Sequence, residues 1–130
     1  MLIMKKRPLS PHLQIYKPQL TSVLSILHRF SAVLMLGGLM ALVGYFTTLV
    51  LLPTFFTMVH SFLTSLTGKI LVSLFLLVFW FFVGTSIRYL VWDTGRGFSL
   101  QEVYASGQFA VLMTFVLTAF TILALWGKLI

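Results

Sequence analysis

The sequence predicts an all-α membrane protein with three transmembrane helices, and three observations predict it. Of the 130 residues, 59% are hydrophobic and 8% are charged, about a third of the charge of an ordinary soluble protein. Charge is absent from three stretches, Phe30 to Gly68, Ile70 to Ile87 and Val103 to Gly127. Each reaches or exceeds the roughly 18–20 residues that cross a bilayer core of about 30 Å. Finally, the basic residues are shared unequally between the ends of these stretches. Lys5, Lys6, Arg7, Lys17 and Arg29 precede the first, and Arg88 and Arg96 follow the second, whereas Lys69 and Lys128 mark the other side. The positive-inside bias therefore predicts an N-terminus inside and a C-terminus outside.

The chain reads as a single membrane-anchor domain, 1–130. Residues 1–20 contain three prolines, Pro8, Pro11 and Pro18, and predict an extended arm on the inner surface. No cleavable signal or transit peptide is read ahead of the first helix, as expected of a bacterial or organelle-encoded chain or of a mature chain trimmed after import. The first helix is expected over about 22–52. Thr21 or Ser22 would cap it, and Pro53 would end it by removing a backbone donor and disfavouring helix in the preceding residue. The stretch "TFFTMVHSFLTSLTG", residues 54–68, is rich in hydroxyls and reads as an interfacial connection. A second helix follows over about 66–92, ended by Gly95 and Gly97. The third, about 106–127, is apolar apart from scattered threonines and carries no candidate chemistry.

The chemistry is expected at the inner ends of the helices. In "SVLSILHRF", residues 22–30, Ser25 lies three positions before His28 and four before Arg29, so all three share one helical face about one turn deep. Such a patch is costly in lipid unless it faces protein, water or a polar ligand. Snorkelling of Arg29 to headgroups, with His28 at the interface, is the simpler reading. A second cluster favours the functional one. Arg88, Tyr89, Trp92 and Asp93 gather where the second helix leaves the membrane, and two polar clusters at one level outline the mouth of a pocket. Asp93 is a candidate ion-pair partner for Arg88 or Arg96.

The bulk numbers exclude other classes. The net charge of +7 marks topology and attraction to membrane lipids rather than a nucleic-acid surface, which needs a solvated basic stripe on a folded face. With no cysteine, disulfides and thiolate metal sites are excluded. A transporter would place ionisable groups near the bilayer midplane, and none stand there.

Two segments carry a resemblance. "RPLSPHLQIYKPQLTSVLSILHR", residues 7–29, resembles the N-terminal signature of the cytochrome b membrane-anchor subunit of succinate dehydrogenase, respiratory complex II. That signature is an arm of the form RP-SPHL-IY followed by a TS-SI-HR helix start. "SIRYLVWDTGRGFSL", residues 86–100, is similar to the second signature of that family, GIRHL-WD-G-GF. The resemblance implies an integral, multi-pass anchor in the mitochondrial inner membrane or the bacterial cytoplasmic membrane. Its partners would be a flavoprotein subunit, an iron-sulfur subunit and a second small membrane-anchor subunit. It also implies electron transport from succinate, in the tricarboxylic acid cycle, to ubiquinone, with haem b between the two anchors in many members. On this basis Ser25 and Arg29 are expected to line the quinone site, and His28, Arg88 and Tyr89 to be haem-propionate or other polar lining.

One departure bears on the haem. The axial histidine of the family stands four residues before the glycine of GIRH, where this chain has Phe82, and Tyr89 replaces the histidine of that motif. His12 and His60 are expected at the surfaces, and Met35, Met40 and Met113 in the packing of the helices. The expectation is therefore no axial haem ligand from this chain and no metal site, which puts haem b in doubt. The chain is expected to act only as a non-autonomous part of an enzyme. A purely structural anchor, or the anchor of a fumarate reductase, is the alternative.

Overall fold

Pro53 and the turn around Gly95 divide the chain more finely than the hydropathy pattern. A computed structural model describes residues 19–127, and these form α1 (Leu20–Leu51), α2 (Pro53–Thr64), α3 (Leu66–Asp93) and α4 (Leu100–Trp126). The arm and its His12 lie outside the described residues. Helices α1, α3 and α4 are each long and apolar enough to cross a membrane.

Three boundaries differ from expectation. α1 begins at Leu20 with Gln19 as N-cap and no side-chain cap. The Val23 amide donates to the Gln19 carbonyl at 3.1 Å, which places Thr21 and Ser22 inside the first turn and not at the cap. Residues 54–68 are not an irregular connection: Pro53 ends α1 and starts α2. Only Leu52 is non-helical (φ −137°, ψ 69°), and Pro53 takes the first position of the new helix, where its missing N–H costs nothing. The hydroxyls of Thr57 and Ser61 donate to the Thr54 and Thr57 carbonyls, both at 2.7 Å, so they are satisfied within the helix. Ser65 then caps α3 by accepting from the Gly68 amide at 3.3 Å.

The third difference is the start of α4, at Leu100 and not near 106. Ser99 Oγ accepts from the Glu102 amide while a Glu102 carboxylate oxygen accepts from the Ser99 amide, both at 3.3 Å, a reciprocal cap. Glu102 starts the helix, although as a charge it had set the boundary of the apolar run. The turn from α3 uses Gly95 (φ 79°) and Gly97 (φ 80°), a left-handed backbone that side chains resist.

The three long helices alternate in direction. The start of α1 meets the end of α3 through His28 and Thr85, and the end of α3 meets the start of α4 through Arg88 and Ser106. Glycines set the closest approaches. A Cβ on Gly38 would overlap the Phe75 ring, and one on Gly107 would stand 3.0 Å from Leu24. The interior is small and hydroxylated: Ser31, Thr85, Thr114 and Thr118 are buried, and of the hydrophobic residues among those described only Leu24 and Ala110 are. Large apolar side chains face outward along every helix. That inversion of a soluble core is what lipid favours, because tails solvate leucine while small residues let backbones approach.

Candidate functional site

At the end of the bundle where α1 starts, α3 ends and α4 starts, one imidazole organises its neighbours. His28 Nδ1 lies 2.7 Å from Thr85 Oγ1, and Thr85, fully buried, donates its single hydroxyl proton to the Phe81 carbonyl at 2.7 Å. That hydroxyl therefore bridges the imidazole of α1 to the backbone of α3. The ring is fixed further by Phe82, stacked face to face at 4.9 Å and 1°, and by Tyr89, edge-on at 4.9 Å. Phe82, Thr85 and Tyr89 are spaced three and four apart on α3, and they present one face to α1.

Ser25 and Arg29 lie on the same stretch of α1 as His28. Ser25 is half-buried and Arg29 exposed. The structure thus brings His28, Tyr89 and Phe82 together, with Ser25 and Arg29 one turn or less along the helix from the imidazole.

Arg88 belongs to a different face of α3. Its Nε donates to Ser106 Oγ at 3.1 Å and its Nη2 to the Val103 carbonyl at 3.0 Å. The guanidinium also stacks 4.2 Å from the centre of the Trp92 ring. Its partners are a hydroxyl, a carbonyl and an indole, and not Asp93. Its side chain is 5% exposed, and Nη1 is buried without a partner. Arg88, Glu102 and Ser106 line one end of a cavity of about 500 Å³ between α3 and α4 that continues past Gly84 and Met113 to Trp80 and Leu117.

At the opposite end of the bundle, His60 Nδ1 lies 3.1 Å from the Tyr45 hydroxyl, and Lys69 lies 5.2 Å over the Trp126 ring. His60 is therefore remote from the His28 cluster. Among the described residues no three His, Cys, Asp or Glu side chains gather as a metal site would require.

Sequence reasoning missed Thr85 and the inward role of the α4 threonines. Thr85 had a usable signal, sitting three residues after Phe82 and four before Tyr89. Gly107, Ala110, Thr114 and Thr118 recur every three or four residues, the stripe of small residues that a membrane helix turns to its neighbour.

Comparison with known proteins decides the family. The family model of the succinate dehydrogenase/fumarate reductase transmembrane subunit matches residues 4–121. The chain belongs to this family. It is 37% identical over 123 residues to the succinate dehydrogenase cytochrome b560 subunit of Reclinomonas americana, covering 86% of this chain and 81% of that protein. It is 40% identical over 118 residues to the cytochrome b556 subunit of Rickettsia bellii, covering 89% and 90%. To the cytochrome b560 subunit of Marchantia polymorpha it is 40% identical over 106 residues, covering 78% and 77%. It is an integral membrane subunit of the succinate dehydrogenase cytochrome b type, with relatives in bacteria and mitochondria. The doubt that Phe82 cast on haem b finds no support among these relatives, whose names are those of b-type cytochrome subunits. Position 82 itself does not fit axial ligation: phenylalanine has no lone pair, and its ring lies flat on His28.

Proposed function

We propose that this chain is the larger membrane anchor of a succinate:ubiquinone oxidoreductase and forms part of its quinone-reduction site. The observation that carries the reading is the family match over residues 4–121 together with the polar group at one end of the bundle. Ser25 and Arg29 lie there on the same stretch of α1 as His28, whose imidazole is held by Thr85 and Phe82, in a chain with large apolar side chains exposed along every helix. That end faces the cytoplasm or matrix, by the excess of Arg29, Arg88 and Arg96 over Lys69 among the described cations. The iron-sulfur subunit docks against it and is held there with the flavoprotein, and a second small anchor completes the membrane part.

In this site the Ser25 hydroxyl donates a hydrogen bond to one quinone carbonyl. The Arg29 guanidinium steadies the negative charge that develops on the quinone oxygens as electrons arrive. Two electrons from the iron-sulfur subunit and two protons from water convert quinone to quinol, so the chain itself binds, orients and stabilises. Haem b in the complex would supply a one-electron redox centre. Phe82, with no lone pair, would not be among the residues that hold it.

Replacing Arg29 with Ala in the assembled complex is expected to lower succinate-to-quinone turnover at least tenfold, while succinate oxidation by a soluble dye is unchanged. Quinone turnover that survives the change would reject Arg29 as a site residue and favour the purely structural anchor.

A further inference from the structure

The cavity between α3 and α4 lies on the face of α3 opposite to the His28 cluster: Gly84, Ile87 and Val91 line it, and Phe82, Thr85 and Tyr89 point the other way. We propose that it is a binding site for one anionic glycerophospholipid, with the phosphodiester at Arg88 and one acyl chain laid along Gly84, Met113 and Leu117. The inference stands on the membrane fold and not on the quinone reading.

Charge points to the head group. The Arg88 side chain is 95% buried, its partners are all neutral, and Nη1 has none. A buried cation without a counterion is strongly disfavoured, and buried donors are nearly always satisfied. Glu102, the one carboxylate in the lining, accepts from the Ser99 amide in the helix cap. The missing anion must therefore come from outside the described residues. A guanidinium with a free N–H edge suits a phosphodiester. A quinone, which is neutral, would leave the charge uncompensated.

Shape points to the tail. Beyond Arg88 the lining is apolar down to Trp80 and Leu117. Eight positions of α3 separate Arg88 from Trp80, and eleven of α4 separate Ser106 from Leu117, about 12 and 16 Å of helix at 1.5 Å per residue. Half a hydrocarbon core is about 15 Å. The cavity therefore spans one leaflet, from head-group level to midplane.

The test is native mass spectrometry of the delipidated, detergent-purified complex titrated with dioleoylphosphatidylglycerol. Dioleoylphosphatidylcholine and inorganic phosphate form parallel arms. One phosphatidylglycerol molecule is expected to bind the parent complex most tightly. Arg88→Gln is expected to weaken it about tenfold, and Met113→Trp, which fills the lane but keeps Arg88, is expected to abolish it. Met113→Trp decides alone should Arg88→Gln not assemble. Equal phosphatidylglycerol binding by parent and Met113→Trp overturns the proposal. So does equal binding of the two lipids, competition by phosphate alone at the same concentration as lipid, or displacement of the lipid by added ubiquinone.

Discussion

One buried hydroxyl fixes the position of the His28 ring. Thr85 Oγ1 stands 2.7 Å from both His28 Nδ1 and the Phe81 carbonyl, which ties the imidazole to the backbone of α3. Phe82 then closes one face of the ring. At this scale the decisive exchange is Phe82→His, which places an imidazole where the chain now has none. Where the assembled complex holds haem b, its low-spin EPR signal and reduced absorption band are expected to change in Phe82→His and to stay as in the parent in Phe82→Leu. Identical spectra for parent and Phe82→His would show that position 82 does not face the haem. The partnership of His28, Phe82 and Tyr89 was half legible in the sequence. Spacings of three and four put Phe82 and Tyr89 on one face, but periodicity does not say which helix that face meets. The same blindness grouped Arg88 with Tyr89, although consecutive residues on a helix point about 100° apart and Arg88 turns to α4.

Among the elements, α4 depends most visibly on its first turn. The reciprocal cap between Ser99 and Glu102 satisfies two amide donors at the site where Arg88 reaches across to Val103 and Ser106. Ser99→Ala is expected to destabilise this helix start by about 1 kcal/mol. Hydrogen exchange at the Glu102 and Val103 amides should rise roughly fivefold, with the middle of α4 unaffected. Protection that stays at the parental level would mean that the cap does not hold the turn. The three long helices were readable because spanning a bilayer demands apolar length, a property of composition. The start of α4 was not, since a glutamate that caps a helix looks, to a hydropathy count, like the end of one. α2 escaped for a related reason: Pro53 stops a helix from the C-terminal side and starts one from the N-terminal side, and only the first effect was weighed.

Across the described helices, most of the fully buried positions are glycine, alanine, serine and threonine, while many large apolar side chains look outward. Trp80 donating to Thr121 at 2.9 Å, Arg88 donating to Ser106 and the Val103 carbonyl, and the His28–Thr85 bond are among the polar ties between the long helices, and such ties are worth roughly 0.6 kcal/mol each on average in a membrane. Direct contact between closely approaching backbones must supply most of the rest. Helices that part inside a micelle exchange protein neighbours for alkyl chains and expose little oily area to water. The heat-capacity increment of that separation should then fall far below the roughly 12–15 cal/mol/K per residue of soluble domains, as calorimetry of the membrane part in mixed micelles would register. The stability curve would be nearly straight in temperature, without the low-temperature downturn that hydration imposes on proteins whose oil is hidden from water.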